Sequence, residues 1–247
     1  MSQTTAVEDM KISGNGITNG GKYNNVTISG SGKINGDIEA NVIRISGAGS
    51  FQGNVKSDKF VVNGSGFVSG KLAGRILQCN GNLKVDAESL AAEFKNSGKS
   101  VILKNLKAER VRSYGCLEVC GGIEAEEFDS IGSMIVGGLL NANRITVLIG
   151  GRCLAKELGG EEIHVKLTDF SLFGRLAGAF LRLFRRGFNK LTAELIEGTH
   201  ISLEHTQAKV VRGEMVTIGP KCEIELVEYK ESLTLHPTAA VQRQVKM

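Results

Sequence analysis

Seven glycines recur at one constant step: Gly30, Gly47, Gly64, Gly81, Gly98, Gly115 and Gly132. A 17-residue period means that each unit is one supersecondary element unable to bury its own apolar face, so that only stacking makes a core. Other columns keep the same step. One runs Val26, Ile43, Phe60, Leu77, Phe94, Val111, Phe128, Ile145. A second runs Ile34, Phe51, Val68, Val85, Ile102, Val119, Val136, Cys153, and a third Ile38, Val55, Leu72, Ser89, Leu106, Ile123, Leu140, broken only at Ser89. A fourth is always small: Ala40, Ser57, Gly74, Ala91, Ala108, Ala125, Ala142.

Within each unit apolar and polar residues alternate, as in Val26-Thr27-Ile28 and Ile43-Arg44-Ile45. That is the period of a strand with one buried face. A helix is excluded by the two-residue spacing and the frequent glycine, and a disordered linker by the apolar columns. Inward positions at 26/28, 34 and 38 give three faces per coil. The expected fold is all-β, a triangular β-helix of about 17 residues per coil. The glycine column is expected at a corner that needs φ > 0, and the small column at a second tight corner. Ile12 begins a looser first coil and roughly 12 follow, giving a rod on the order of 58 Å long at the spacing of paired strands.

The pattern slips after Ile145, resuming at Ile163 and Val165. Near the C-terminus the 17-residue step is read again in Thr199/Ile201, Val216/Ile218 and Leu233/Leu235. The expected organisation is a flexible tail at 1–11, coils at 12–167, an insertion at 168–191 that leaves and rejoins at a corner, and coils of the same rod at 192–247. The insertion holds five of the ten phenylalanines: Phe170, Phe173, Phe180, Phe184 and Phe188. It also holds Arg175, Arg182, Arg185, Arg186 and Lys190 against Asp169, a charge of +4 that equals the net charge of the whole chain. On a helix the aromatic residues form one stripe and most of the arginines lie away from it. Such a segment either packs on the rod or docks on an anionic membrane surface or a partner protein. Its charge and glycine content make it a poor spanning segment. With basic residues confined to one short stretch, no nucleic-acid partner is expected.

Chemistry is sparse. Cys116 and Cys120 have no matching second pair for a metal, and Cys79 and Cys153 occupy inward columns. His164 and His200 alternate with apolar neighbours and are expected to face solvent. No nucleophile–base pair or paired carboxylates stand out, so no catalytic residue, cofactor or metal is expected. The odd cysteine number and an N-terminus without an apolar run suggest a cytoplasmic protein, on the inner face of the membrane if the insertion docks there.

The repeat VTISGSGKINGDIEANVIRISGAGSFQGNVKSDKFVV resembles the bactofilins, bacterial polymer-forming cytoskeletal proteins. The closing stretch AKVVRGEMVTIGPKCEIELVEYKESL is similar to a longer subgroup with an inserted segment. The resemblance covers nearly all of 12–247. It implies a right-handed β-helix, nucleotide-independent head-to-tail assembly into non-polar filaments, and scaffolding of cell-shape, envelope or motility proteins. The chain departs from the usual pattern in its length and in having no hydrophobic N-terminal targeting peptide, which makes the Phe170–Phe188 stretch a candidate substitute. Physics points the same way, because a solenoid ends in open strand edges. Leu233, Leu235, Val241 and Val245 in the last coil are the expected polymer contact. The alternatives are a monomeric or dimeric adaptor and a β-helix enzyme. Against the enzyme, acyltransferases of this kind build each coil from three hexapeptides, a longer step than the one kept here, and lyases carry exposed acid clusters.

Overall fold

The computed structural model describes residues 8–168 and 190–247. It is a β-solenoid of parallel strands, about 13 turns long with about 17 residues per turn, and it contains no helix among the described residues. Between the two ends of the rod, each strand pairs with the one a coil earlier and the one a coil later. Val26 is opposite Ile43, Ile43 opposite Phe60, and Phe60 opposite Leu77, all in register. This column stays sealed throughout, from Val26 through Phe94 and Ile145 to Ile163, Ile201 and Val216, each at most 2% exposed.

Three inward pairs per coil define the cross-section. In strands β2 (Asn15–Ile28) and β3 (Ser31–Ile45) they are Val26 and Ile28 on face A, Gly32 and Ile34 on face B, and Ile38 and Ala40 on face C. Phe51 and Phe60 meet edge to face inside the rod, with ring centroids 5.9 Å apart. The backbone ladder does not stop at the corners: Ser46 N–H donates to Ile28 O at 2.8 Å and Ala48 N–H to Gly30 O at 2.8 Å.

The glycine column has a different cause from the one expected. Of the seven, only Gly132 has a positive φ, at 121°. The others are glycine because the coils approach too closely there for a side chain: a Cβ on Gly47 would strike the carbonyl oxygen of Gly30. Left-handed backbone does occur at this corner, but in the last coils and on His205 (φ 48°) and Lys221 (φ 56°).

A second correction concerns the C-terminal step. In β14 (Leu191–Leu203) and β15 (Thr206–Ile218), Ile201 pairs with Val216 and Leu203 with Ile218, so this coil is shorter than the rest. Thr199 is not the stacking partner of Val216. The 17-residue step returns only in the next coil, where Val216 pairs with Leu233 and Ile218 with Leu235.

The long strand β13 (Ile123–Leu167) ends on face A, with Val165 opposite Leu203. The chain resumes on face B with Leu191 opposite Cys153, and Ile196 then lies opposite Leu158 on face C. The stretch between Thr168 and Lys190 therefore departs and rejoins at the corner between faces A and B.

Candidate assembly surface

The last coil is built from β16 (Glu223–Leu235) and β17 (Ala240–Lys246). Leu233 and Leu235 stand on Val216 and Ile218, and Val241 on Ile224. Leu233, Ala239 and Val241 pack against the core from one side and are half-buried. Leu235 is 40% exposed, and so is Val245. The outer edges of 232–235 and of β17 pair with no strand among the described residues.

Of the four expected contact residues, Leu233, Leu235 and Val241 thus share one surface at the end of the rod. Val245 pairs with Glu228, in the row that points away from the core, so it borders that surface from outside. Ala239 completes the inward set, and an alternation count could have found it by extending the face B column from Thr206 and Cys222. The turn into β17 is held by Thr238 N–H donating to His236 Nδ1 at 3.2 Å and by Ala239 N–H donating to His236 O at 2.9 Å.

The opposite end is formed by β1 (Met10–Ile12) and the first half of β2. Ile12 is 8% exposed, whereas Ile17 points outward and is 73% exposed. Asp9 fastens this coil to the next: its carboxylate accepts from Asn24 Nδ2, Asn25 Nδ2 and Asn25 N–H, each at 3.0 Å. Hydrogen bonding, led by the Asn25 side chain, holds the Asp9 carboxyl below the usual carboxylate range.

The proposed docking residues Phe170, Phe173, Arg175, Phe180, Arg182, Phe184, Arg185, Arg186 and Phe188 lie outside the described residues, as does the expected helix that carries them. Lys190 is described, and its Nζ pairs with Glu223 at 3.3 Å.

A groove of about 870 Å³ runs along the corner between faces C and A. Its lining includes Ala40, Ser57, Gly74, Ala91, Ala108 and Ala125. The sequence reading placed this small column at a corner and missed the groove that small residues leave outside it. Charges on the rim are matched from coil to coil: Lys22 and Lys56 both reach Glu39, at 3.4 and 3.1 Å, Arg75 reaches Asp58 at 2.8 Å, and Lys107 reaches Glu124 at 2.6 Å. The Asp58 carboxyl is lowered, chiefly by its bond to Arg75. Leu90 is the apolar exception on the rim and is 41% exposed.

Among the described residues no group of three or more His, Cys, Asp or Glu side chains could hold a metal ion. Cys79, Cys153 and Cys222 are buried, and Cys116 and Cys120 are exposed. Burial pushes the Cys153 thiol up to about 11. His164 is half-buried and His200 exposed, both on outward positions of their strands. No described helix is long and apolar enough to cross a membrane.

No family model matches the chain, and no solved structure matches it. It is similar to two Bacillus subtilis proteins. It is 41% identical to uncharacterized protein YhbE over 113 residues, which cover 45% of this chain and 44% of that one. It is 36% identical to uncharacterized protein YhbF over 111 residues, covering 44% and 42%. The chain spans less than half the length of these curated relatives.

Proposed function

We propose that this chain is a non-enzymatic, bactofilin-like scaffold that assembles end to end into filaments without nucleotide, its partner being a second copy of itself. The observation that carries this reading is the terminal coil, where Leu233, Leu235, Ala239 and Val241 are covered from one side only. A second coil laid on that surface would bury the leucines and pair the free edges of β16 and β17. Either like or unlike ends of two rods can make such contacts, and use of both ends builds a filament.

The same reading puts the filament on the inner face of the cell membrane, where it would organise envelope, shape or motility proteins. The +4 charge and five phenylalanines of 168–191 support that location. Removal of residues 169–189 is expected to abolish co-sedimentation with vesicles of anionic lipid. Unchanged binding would separate the insertion from the membrane.

The test of assembly is negative-stain electron microscopy of the purified chain and of Leu235→Lys. Wild type is expected to form filaments one rod wide, and the lysine variant short rods or single molecules. Filaments unchanged by the substitution would exclude this end as the contact. The groove supports a second reading, an adaptor rod that binds an extended partner along its length. Wild-type protein that sediments as a monomer at all concentrations would favour it.

A further inference from the structure

The core of this rod is apolar nearly everywhere, yet its buried polar side chains are not scattered evenly. Five of them fall between Ser89 and Ser130: Ser89, Asn96, Ser100, Ser113 and Ser130, each at most 1% exposed. Elsewhere they come singly, as Ser57, Thr168 and Thr206.

They interrupt columns that are apolar before and after them, Ser89 and Ser100 singly and the other three as a run. Ser89 stacks between Leu72 and Leu106. Ser100 stacks between Leu83 and Leu117. On face A the second inward column runs Ile28, Ile45, Val62 and Cys79, changes to Asn96, Ser113 and Ser130, and returns to Val147.

Three of the five form one network. Asn96 Nδ2 donates to Ser113 Oγ and to Cys116 O, each at 3.0 Å, and Ser100 Oγ donates to Asn96 Oδ1 at 3.0 Å. The hydroxyls of Ser89 and Ser130 have no hydrogen-bond partner among the described residues, and neither do those of Ser57 and Thr168 outside the run, so what sets this stretch apart is the succession of buried polar groups in consecutive coils.

A satisfied internal hydrogen bond replaces one made to water in the unfolded chain and gains little. A buried hydroxyl with no partner loses its hydration outright. Both occupy places where flanking coils bury leucine, isoleucine or valine, whose removal from water stabilises the stack. In a solenoid, stability is a chain of nearest-neighbour terms, so a run of weak coils divides the rod where it lies.

We propose that the rod is built as two cooperative blocks joined by a weak waist, and that the coils between Ser89 and Ser130 open before the flanking ones. The waist comprises β9 (Ser89–Asn96), β10 (Lys99–Ile102), β11 (Leu106–Ser113), β12 (Cys116–Val119) and the first turn of β13. Local opening there bares two strand edges in the middle of the molecule, in addition to those at its ends.

Amide hydrogen exchange of the full chain, read by mass spectrometry on peptides, tests this. Amides of β9–β12 are expected to exchange at least about tenfold faster than those of 38–45 and 208–218, whose buried side chains are apolar. Ser130→Val and Ser89→Leu each import a residue that the same column carries one coil away. Each is expected to slow exchange across 89–130 about tenfold while leaving 38–45 and 208–218 unchanged. Wild-type exchange that is uniform along the rod, or slowest in the waist, overturns the proposal whatever the variants do. So does a folded Ser130→Val protein whose exchange in 89–130 matches wild type.

Discussion

A methyl group at Gly47 would meet the carbonyl oxygen of Gly30 in the preceding coil, and both are fixed by the ladder. Gly36 is the contrast: its φ is 85°, and a Cβ there meets nothing within 4 Å. Gly47→Ala is expected to destabilise by about 1–3 kcal/mol through forced separation of two coils. Gly36→Ala should cost about 1–2 kcal/mol through backbone strain alone. Denaturant titration checks both, and only the first should also speed amide exchange in neighbouring coils. Thiol reactivity follows burial: a colorimetric thiol reagent should modify Cys116 and Cys120 quickly and the three buried cysteines only after unfolding. Asp9 gives the first coil a pH response. Its carboxyl titrates below its unfolded value of about 3.9. The fastening is therefore complete above that value and lost as pH falls through the lower folded one. Exchange at Met10–Ile12 should rise on acidification before the rest of the rod responds, and Asp9→Asn should remove that step.

At the scale of the element, every strand inside the stack belongs to two ladders, so a core side chain there serves three coils. Phe94 is fully buried between Leu77 and Val111. Phe94→Ala is expected to cost about 3–5 kcal/mol by thermal or denaturant unfolding. Arg75→Ala, which breaks an exposed pair with Asp58, should leave the unfolding midpoint nearly unchanged. The elements also show what could be read in advance. Columns such as Val26–Ile43–Phe60 were legible because inward positions alternate with period two and the 17-residue step repeats them. The shorter coil from Ile201 to Val216 was not, because Thr199 happens to precede Val216 by the older step and mimics it. The side chains that stitch coils together were hidden as well. Asp37 Oδ1 accepts from Asn54 N–H at 2.7 Å, Asn54 Oδ1 from Lys71 N–H at 2.9 Å, and Asn105 Oδ1 from Gly122 N–H at 2.9 Å. In the sequence these residues look like ordinary polar surface. Of the candidate contact residues, Leu233, Leu235 and Val241 were recognisable from alternation, whereas the outward place of Val245 depends on the register of β17 on β16, which alternation alone does not give.

Taken whole, the molecule is a stack in which each strand waits only for one about 17 residues away, a separation short against the length of the chain. Folding can therefore begin in any pair of neighbouring coils and spread along the stack, and truncation by whole coils from the C-terminus is expected to lower stability stepwise while leaving the refolding rate, followed by stopped-flow circular dichroism, little changed. The corner between Thr168 and Lys190 has a consequence for how such a chain can change. Leu203 still lies over Val165 and Leu191 over Cys153, although a long stretch of chain intervenes between the two arms of that coil. The ladder is indifferent to how much polypeptide is spliced in at this point. The rod therefore offers a grafting port, where an epitope, a tag or an entire small domain could be carried at one fixed height along its length without retuning the stack that bears it.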